Sequence, residues 1–127
     1  MSNHIAFIGV GNMGNPMAQQ LVKAGQNVKV FDVSPDVIEI AKQSGLDVIN
    51  SMEELLQGAT TVISMLPEGK HVRSLYLGDN GILKKIPKDC LIIDCSTIDI
   101  ETSLELGNAA KKIGINMIDA PVTGGVM

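Results

Sequence analysis

The feature that most constrains the fold of this chain is a glycine-rich segment near its beginning, residues 7–14, which reads FIGVGNMG. An apolar run precedes it, and apolar residues recur at three and four positions after it, which predicts a strand followed by a helix. In that context the spacing Gly-x-Gly-x-x-Gly is typical of a dinucleotide-binding turn. Gly9 would permit the tight turn, Gly11 would let a pyrophosphate approach the backbone, and Gly14 would let the helix pack closely on the strand. An ordinary strand-to-helix turn is the alternative.

An acidic residue at the end of the second predicted strand strengthens the dinucleotide interpretation. Asp32 follows the first glycine of the turn by about twenty residues, where a carboxylate can accept hydrogen bonds from an adenosine ribose. A capping role is the alternative for Asp32, but Ser34 with Pro35 behind it suits a helix cap better. No arginine or lysine stands among residues 33–41, directly after Asp32, and its carboxylate would repel a 2′-phosphate. We therefore predict NAD rather than NADP as the cofactor.

Strand and helix patterns alternate along the whole chain. We predict strands over residues 4–8, 28–31, 46–49, 60–65, 90–94 and 115–118, helices between them, and a loop over 119–127. This order predicts an α/β fold of Rossmann type, a doubly wound parallel sheet with helices on both faces. Polar or glycine-rich residues follow several of the strands, and the carboxyl ends of parallel strands share the edge where ligands bind.

Composition limits the class of protein. With 127 residues, 45% of them hydrophobic, the chain suits a single dinucleotide-binding domain, residues 1–127. The net charge is −4 and aromatic residues make up 2%, so we expect no nucleic-acid partner. No apolar run is long enough to cross a membrane and no targeting segment is visible, so we expect a cytoplasmic protein without a membrane partner. Cys90 and Cys95 match no metal or redox spacing, and we expect core thiols and no metal site.

Two segments resemble the signature motifs of one enzyme family, the β-hydroxyacid dehydrogenases. Residues 7–18, FIGVGNMGNPMA, are similar to the family's N-terminal signature, and residues 119–125, DAPVTGG, to its substrate-binding signature. Segments 65–67, 81–85 and 93–99 most resemble the members that serve valine catabolism. The resemblance covers essentially the whole chain. It implies NAD-dependent oxidation of a small 3-hydroxy acid by hydride transfer.

The resemblance also implies roles for individual residues. Eight residues are implied to contact NAD at the pyrophosphate, the ribose or the nicotinamide-side wall. They are Gly11, Asn12, Met13, Asp32, Leu66, Pro67, His71 and Thr97. The substrate carboxylate would be held by hydroxyl and backbone donors of Thr123, Gly124 and Gly125. The family usually has serine where this chain has Thr123, and threonine keeps the hydroxyl while adding a methyl group and stiffening the side chain.

Ordinary structural roles remain open for several of these residues. His71 could be a solvated histidine on an exposed helix, and Thr97 could bond the backbone before the helix that Asp99 caps. Pro67 suits a strand exit whatever binds there. The face that carries Met13 favours core packing over ligand contact. Segment 119–125 could be a turn followed by a linker.

In this family the acid–base group is a lysine in a following all-helical domain, through which the full-length protein assembles. The chain stops at Met127, before the corresponding helix. We therefore expect no catalytic residue within it, NAD binding without turnover, and a homo-oligomer only for the full-length protein. The alternatives are an S-adenosylmethionine-dependent methyltransferase, a non-catalytic NAD-binding module, and a related reductase of tartronate, glyoxylate or succinate semialdehyde.

Overall fold

The structure is a computed structural model that describes residues 3–120. Its strands are β1 His4–Ile8, β2 Val28–Phe31, β3 Asp47–Val48, β4 Ala59–Ser64, β5 Leu91–Asp94 and β6 Asn116–Asp119. Its helices are α1 Gly14–Lys23, α2 Pro35–Gln43, α3 Met52–Leu56, α4 Gly69–Leu77 and α5 Ile100–Lys112. Strands and helices thus alternate along the chain as the sequence predicts.

The strands form one sheet in the order β3-β2-β1-β4-β5-β6, and every neighbouring pair is parallel. The chain moves outward from β1 in one direction through β2 and β3, then crosses back and continues through β4, β5 and β6. The strand order therefore reverses beside β1, and in such a sheet ligands bind in the crevice at the carboxyl ends of the strands at that point. The predicted doubly wound parallel sheet is confirmed.

Helices cover both faces of the sheet because alternate residues of each strand point to opposite sides. On β1, Ala6 and Ile8 join an apolar cluster that includes Leu106 of α5. Phe7, between them, joins a second cluster that includes Ala18 of α1 and packs against the other face. Two apolar layers therefore fix the height and tilt of the strand ends that carry the candidate site.

Side-chain caps set the start of three helices. Ser34 accepts a hydrogen bond from the Val37 amide, Ser51 from the Glu54 amide, and Asp99 from the Thr102 amide. The caps predicted at Ser34 and Asp99 are confirmed. By contrast, the expected loop at Asp119 is wrong, because this residue ends β6 and pairs in register with Asp94.

Over residues 3–120 no helix is both long and apolar enough to cross a membrane.

Candidate dinucleotide-binding site

The glycine turn joins β1 to α1, and steric contacts explain two of its glycines. Gly9 has a φ of +94°, and a Cβ there would overlap the carbonyl oxygen of Met65. A Cβ at Gly14 would overlap the carbonyl oxygen of Gly9 and come within 3.2 Å of the Phe7 ring. Side chains at these two positions would push α1 and the β4 exit away from β1.

Gly11, the middle glycine of the motif, lies in open space. Apart from its neighbours in the chain, no atom of residues 3–120 lies within 4 Å of the position that a Cβ would take at Gly11. The helix that follows has Met13 at its N-cap position and no side-chain capping bond, unlike α2, α3 and α5. The Asn15 amide donates to the Gly11 carbonyl oxygen at 2.9 Å and Pro16 has no N–H. In the described part of the chain this leaves the Gly14 amide as the first-turn donor open to an anion at the positive end of the helix dipole. These features fit the pyrophosphate of a dinucleotide.

Asp32 is connected directly to the glycine turn. Its Oδ2 accepts a hydrogen bond from the Val10 amide at 2.9 Å, and its Oδ1 accepts one from the Ser34 amide at 3.0 Å. The Gly9 amide donates to the Phe31 carbonyl oxygen at 2.9 Å. The carboxylate thus holds the turn after β1 and the start of α2 at fixed positions, and it remains partly exposed to the cleft between them.

A cleft of about 240 Å³ opens beside Asp32, at the reversal of strand order. Its walls are mostly hydrocarbon, with the Asp32 carboxylate at one side. The lining residues are Ile8, Gly9, Phe31, Asp32, Val33, Met52, Leu66, His71, Ser74 and Leu75. A flat apolar slot next to a carboxylate fits an adenosine group, since the base needs apolar contact and the ribose hydroxyls need an acceptor.

The structure brings some of the predicted contact residues together. Gly9, Asp32, Leu66 and His71 all line this one cleft, although they are far apart in the sequence. Leu66, implied to lie on the nicotinamide side, thus shares a cleft with Asp32. His71 is an exposed residue of α4 whose ring borders the cleft.

Other predicted contact residues lie outside the cleft lining. Pro67 and Thr97 are exposed in the loops after β4 and β5, and Asn12 is exposed in the glycine turn. Core packing was expected for the face of Met13 and Met17, and Met17 does pack against an apolar cluster. The expectation is wrong for Met13, which is 40% exposed because it lies at the N-cap position before the buried face of α1 begins. Thr123, Gly124 and Gly125 lie outside the described residues.

Sequence reasoning missed a buried polar cluster beneath the cleft, formed by Ser64, Tyr76, Asp94 and Ser96, each at most 1% exposed. Burial raises the pKa of the Asp94 carboxyl, although hydrogen bonds from Ser96 and Ser64 oppose that effect. Burial also raises the pKa of Tyr76 well above its usual range. A signal was present in the sequence, because Ser64 and Asp94 end two neighbouring apolar strands and pair in register.

The described part of the chain also contains the two thiols. Cys90 and Cys95 are both buried and free, as predicted. Burial raises the pKa of Cys90 to about 11 and that of Cys95 above its usual value, so both remain protonated at neutral pH. In residues 3–120 no group of three or more metal-ligating side chains comes together.

Comparison with known proteins decides the family. Residues 4–127 match the family model described as the NAD binding domain of 6-phosphogluconate dehydrogenase. The chain belongs to this family of NAD-binding domains. The prediction of an NAD-binding domain is therefore confirmed, and the glycine turn, Asp32 and the cleft lie in the part of the chain that the model covers.

Similar proteins include dehydrogenases of known name. The chain is 49% identical over 122 residues to a 3-hydroxyisobutyrate dehydrogenase of Pseudomonas aeruginosa, covering 96% of this chain and 41% of that protein. It is 47% identical to the mitochondrial 3-hydroxyisobutyrate dehydrogenase of Mus musculus, covering 96% of this chain and 36% of that protein. The solved structure of Mycobacterium tuberculosis 3-hydroxyisobutyrate dehydrogenase with L-serine matches with a TM-score of 0.88 and 40% identity, covering 99% of this chain and 42% of that one. The chain thus spans about two fifths of these relatives' lengths.

Proposed function

We propose that this chain is the cofactor-binding part of an NAD-dependent 3-hydroxyisobutyrate dehydrogenase, which oxidises 3-hydroxyisobutyrate to methylmalonate semialdehyde in valine catabolism. The relatives that carry this name support the substrate, since they match nearly the whole chain at up to 49% identity. Bound NAD would supply the hydride acceptor for this oxidation. The residues of this chain bind the cofactor, orient it and shield it.

The observation that carries the proposal is the hydrogen bond from the Val10 amide to Asp32. It ties the acidic residue expected to bind ribose to the turn expected to bind pyrophosphate. In the proposed complex, Asp32 accepts hydrogen bonds from the ribose, and Gly11, Asn12 and Met13 approach the pyrophosphate. Leu66 and His71 border the adenosine cleft, and Pro67 and Thr97 contact NAD farther along the same edge.

The substrate loop and the catalytic group complete the proposal for the whole protein. Thr123, Gly124 and Gly125 hold the substrate carboxylate, and a lysine of a following helical domain is the acid–base group. Ile100 and Leu104, one turn apart on α5, support such a domain because they are 79% and 62% exposed and would be covered by it. We further propose that the full-length protein is a cytoplasmic homo-oligomer without nucleic-acid or membrane partners.

A titration of this chain with NADH and, in parallel, NADPH tests the cofactor assignment, with nicotinamide fluorescence as the readout. We expect saturable NADH binding and much weaker NADPH binding, because the Asp32 carboxylate would repel a 2′-phosphate. Equal affinity for the two would contradict the NAD assignment. Binding of S-adenosylmethionine without NADH binding would favour the methyltransferase alternative.

The substrate is tested on the full-length protein with 3-hydroxyisobutyrate and L-serine, the ligand in the solved Mycobacterium tuberculosis structure. We expect NADH production at 340 nm with a higher kcat/KM for 3-hydroxyisobutyrate. A higher kcat/KM for L-serine, or reduction of a short semialdehyde alone, would reassign the substrate within the same family. This chain by itself should bind NADH and produce none.

A further inference from the structure

The buried polar cluster beneath the cleft is a continuous chain of hydrogen bonds. The Tyr76 hydroxyl lies 2.7 Å from Ser64 Oγ, and Ser64 Oγ donates to Asp94 Oδ1 at 2.8 Å. Ser96 Oγ donates to the same Asp94 oxygen at 2.8 Å and accepts a hydrogen bond from the Leu66 amide at 2.8 Å. The hydrogen bonds therefore run from α4, across the carboxyl ends of β4 and β5, to the loop that follows β4.

The number of hydroxyl protons in the cluster fixes the direction of its hydrogen bonds. Asp94 Oδ1 accepts from both hydroxyl groups, so the single hydroxyl protons of Ser64 and Ser96 are both used toward Asp94. The Tyr76 hydroxyl must then donate to Ser64, and Ser96 has a lone pair left to accept from the Leu66 amide. With its hydroxyl oriented by Asp94, Ser96 presents an acceptor to that amide.

One end of the hydrogen-bonded cluster borders the dinucleotide cleft directly, and the other end lies on a helix that borders it. Leu66 lines the cleft and lies against the glycine turn, where a Cβ at Gly9 would be 3.0 Å from Leu66 Cδ2. At the other end, Tyr76 belongs to α4, the helix that supplies His71 and Leu75 to the cleft wall. The position of the Leu66 backbone thus fixes one part of the wall of the cleft that Asp32 also lines.

We infer that Ser96 is a positioning residue for cofactor binding: its hydroxyl, oriented by Asp94, holds the Leu66 amide and with it the cleft wall that faces the cofactor. This inference rests on the proposed NAD-binding function. Ser96 itself is fully buried and does not line the cleft, so it acts through Leu66 and not by contact with the ligand.

Two variants separate this role from a purely structural one. Ser96→Ala removes the acceptor of the Leu66 amide. Tyr76→Phe removes a hydroxyl from the same cluster but leaves the bonds between Ser96, Asp94 and Leu66 intact. For each variant we would measure the NADH dissociation constant, the melting temperature, and hydrogen exchange at the Leu66 amide by NMR.

We expect Ser96→Ala to speed hydrogen exchange at the Leu66 amide. We also expect it to raise the NADH dissociation constant about three- to tenfold, which is the change that the net free energy of one hydrogen bond would produce. Tyr76→Phe should lower the melting temperature while it changes NADH affinity less than about twofold. If the wild-type chain binds NADH and Ser96→Ala binds it with the same affinity, this inference is wrong and the proposed function stands. The inference is also wrong if the loss of NADH affinity simply follows the loss of melting temperature in both variants. No NADH binding by the wild-type chain would overturn the proposed function as well.

Discussion

Two glycines of the same turn have opposite surroundings, and the Gly-x-Gly-x-x-Gly pattern alone does not distinguish them. Gly14 faces the carbonyl oxygen of Gly9, which is backbone and cannot move aside cheaply. Gly11 faces open space within the described residues. One glycine is therefore required by the fold, whereas the other is free to serve a ligand.

The variants Gly14→Ala and Gly11→Ala test this difference. We expect Gly14→Ala to lower the free energy of unfolding by about 2–3 kcal/mol, because the new methyl group overlaps backbone atoms. Gly11→Ala should change it by less than about 0.5 kcal/mol. It should nevertheless weaken NADH binding about tenfold or more, since the methyl group occupies the space of the pyrophosphate. Urea unfolding and NADH titration give the two numbers, and equal stability losses would contradict the assignment.

Asp32 combines a structural role with the proposed binding role. Both of its oxygens accept hydrogen bonds from backbone amides, at Val10 and Ser34. Asp32→Asn leaves only one oxygen, so we expect the free energy of unfolding to fall by about 1–3 kcal/mol. The ratio of NADPH to NADH affinity should rise because a negative charge is removed. Parallel titrations measure the ratio, and an unchanged ratio would mean that the carboxylate does not exclude NADPH.

At the scale of elements, α5 depends on an ionised cap. Hydrogen bonds from Thr102 lower the pKa of Asp99, which caps this helix. A pKa lower in the folded than in the unfolded state means that the stabilisation is present above the ordinary carboxyl pKa and is lost as pH falls through the folded-state value. We expect Asp99→Asn to show a smaller loss of melting temperature on acidification than the wild-type chain.

A cap that does not titrate provides the control for this pH effect. Ser34 caps α2 with a hydroxyl. Ser34→Ala should lower the melting temperature by a similar amount at neutral and at acidic pH. If Asp99→Asn and the wild-type chain lost the same amount on acidification, the ionised cap would not contribute to the pH dependence.

The elements and part of the site could be predicted because they depend on local patterns and on one rule of parallel sheets. Strand ends share an edge, so Gly9, Asp32 and Leu66 meet at one cleft. The same rule could have paired Ser64 with Asp94, but it could not have added Tyr76 to the buried cluster. The contact between Tyr76 and Ser64 depends on how α4 packs against β4, and no local pattern encodes that packing. The sequence predicts a loop from Asp119, but pairing with Asp94 of β5 extends the last strand to this residue.

At the scale of the whole molecule, a ligand that binds only the folded chain must raise its melting temperature. NADH at one hundred times its dissociation constant should add about 2.7 kcal/mol of stability. For a domain of this size we expect a rise of about 10 °C. S-adenosylmethionine at the same concentration should give no rise. A thermal shift with S-adenosylmethionine and none with NADH would contradict the proposed function.

The buried phenol of Tyr76 also gives the molecule an internal optical reporter. The sequence contains one tyrosine and no tryptophan, so near-ultraviolet fluorescence and tyrosinate absorbance both come from this single ring. Because burial raises its pKa, the folded chain should show no tyrosinate band through the range in which free tyrosine ionises. In alkaline solution the band would then appear only as molecules unfold, so one wavelength would count the unfolded fraction without any label.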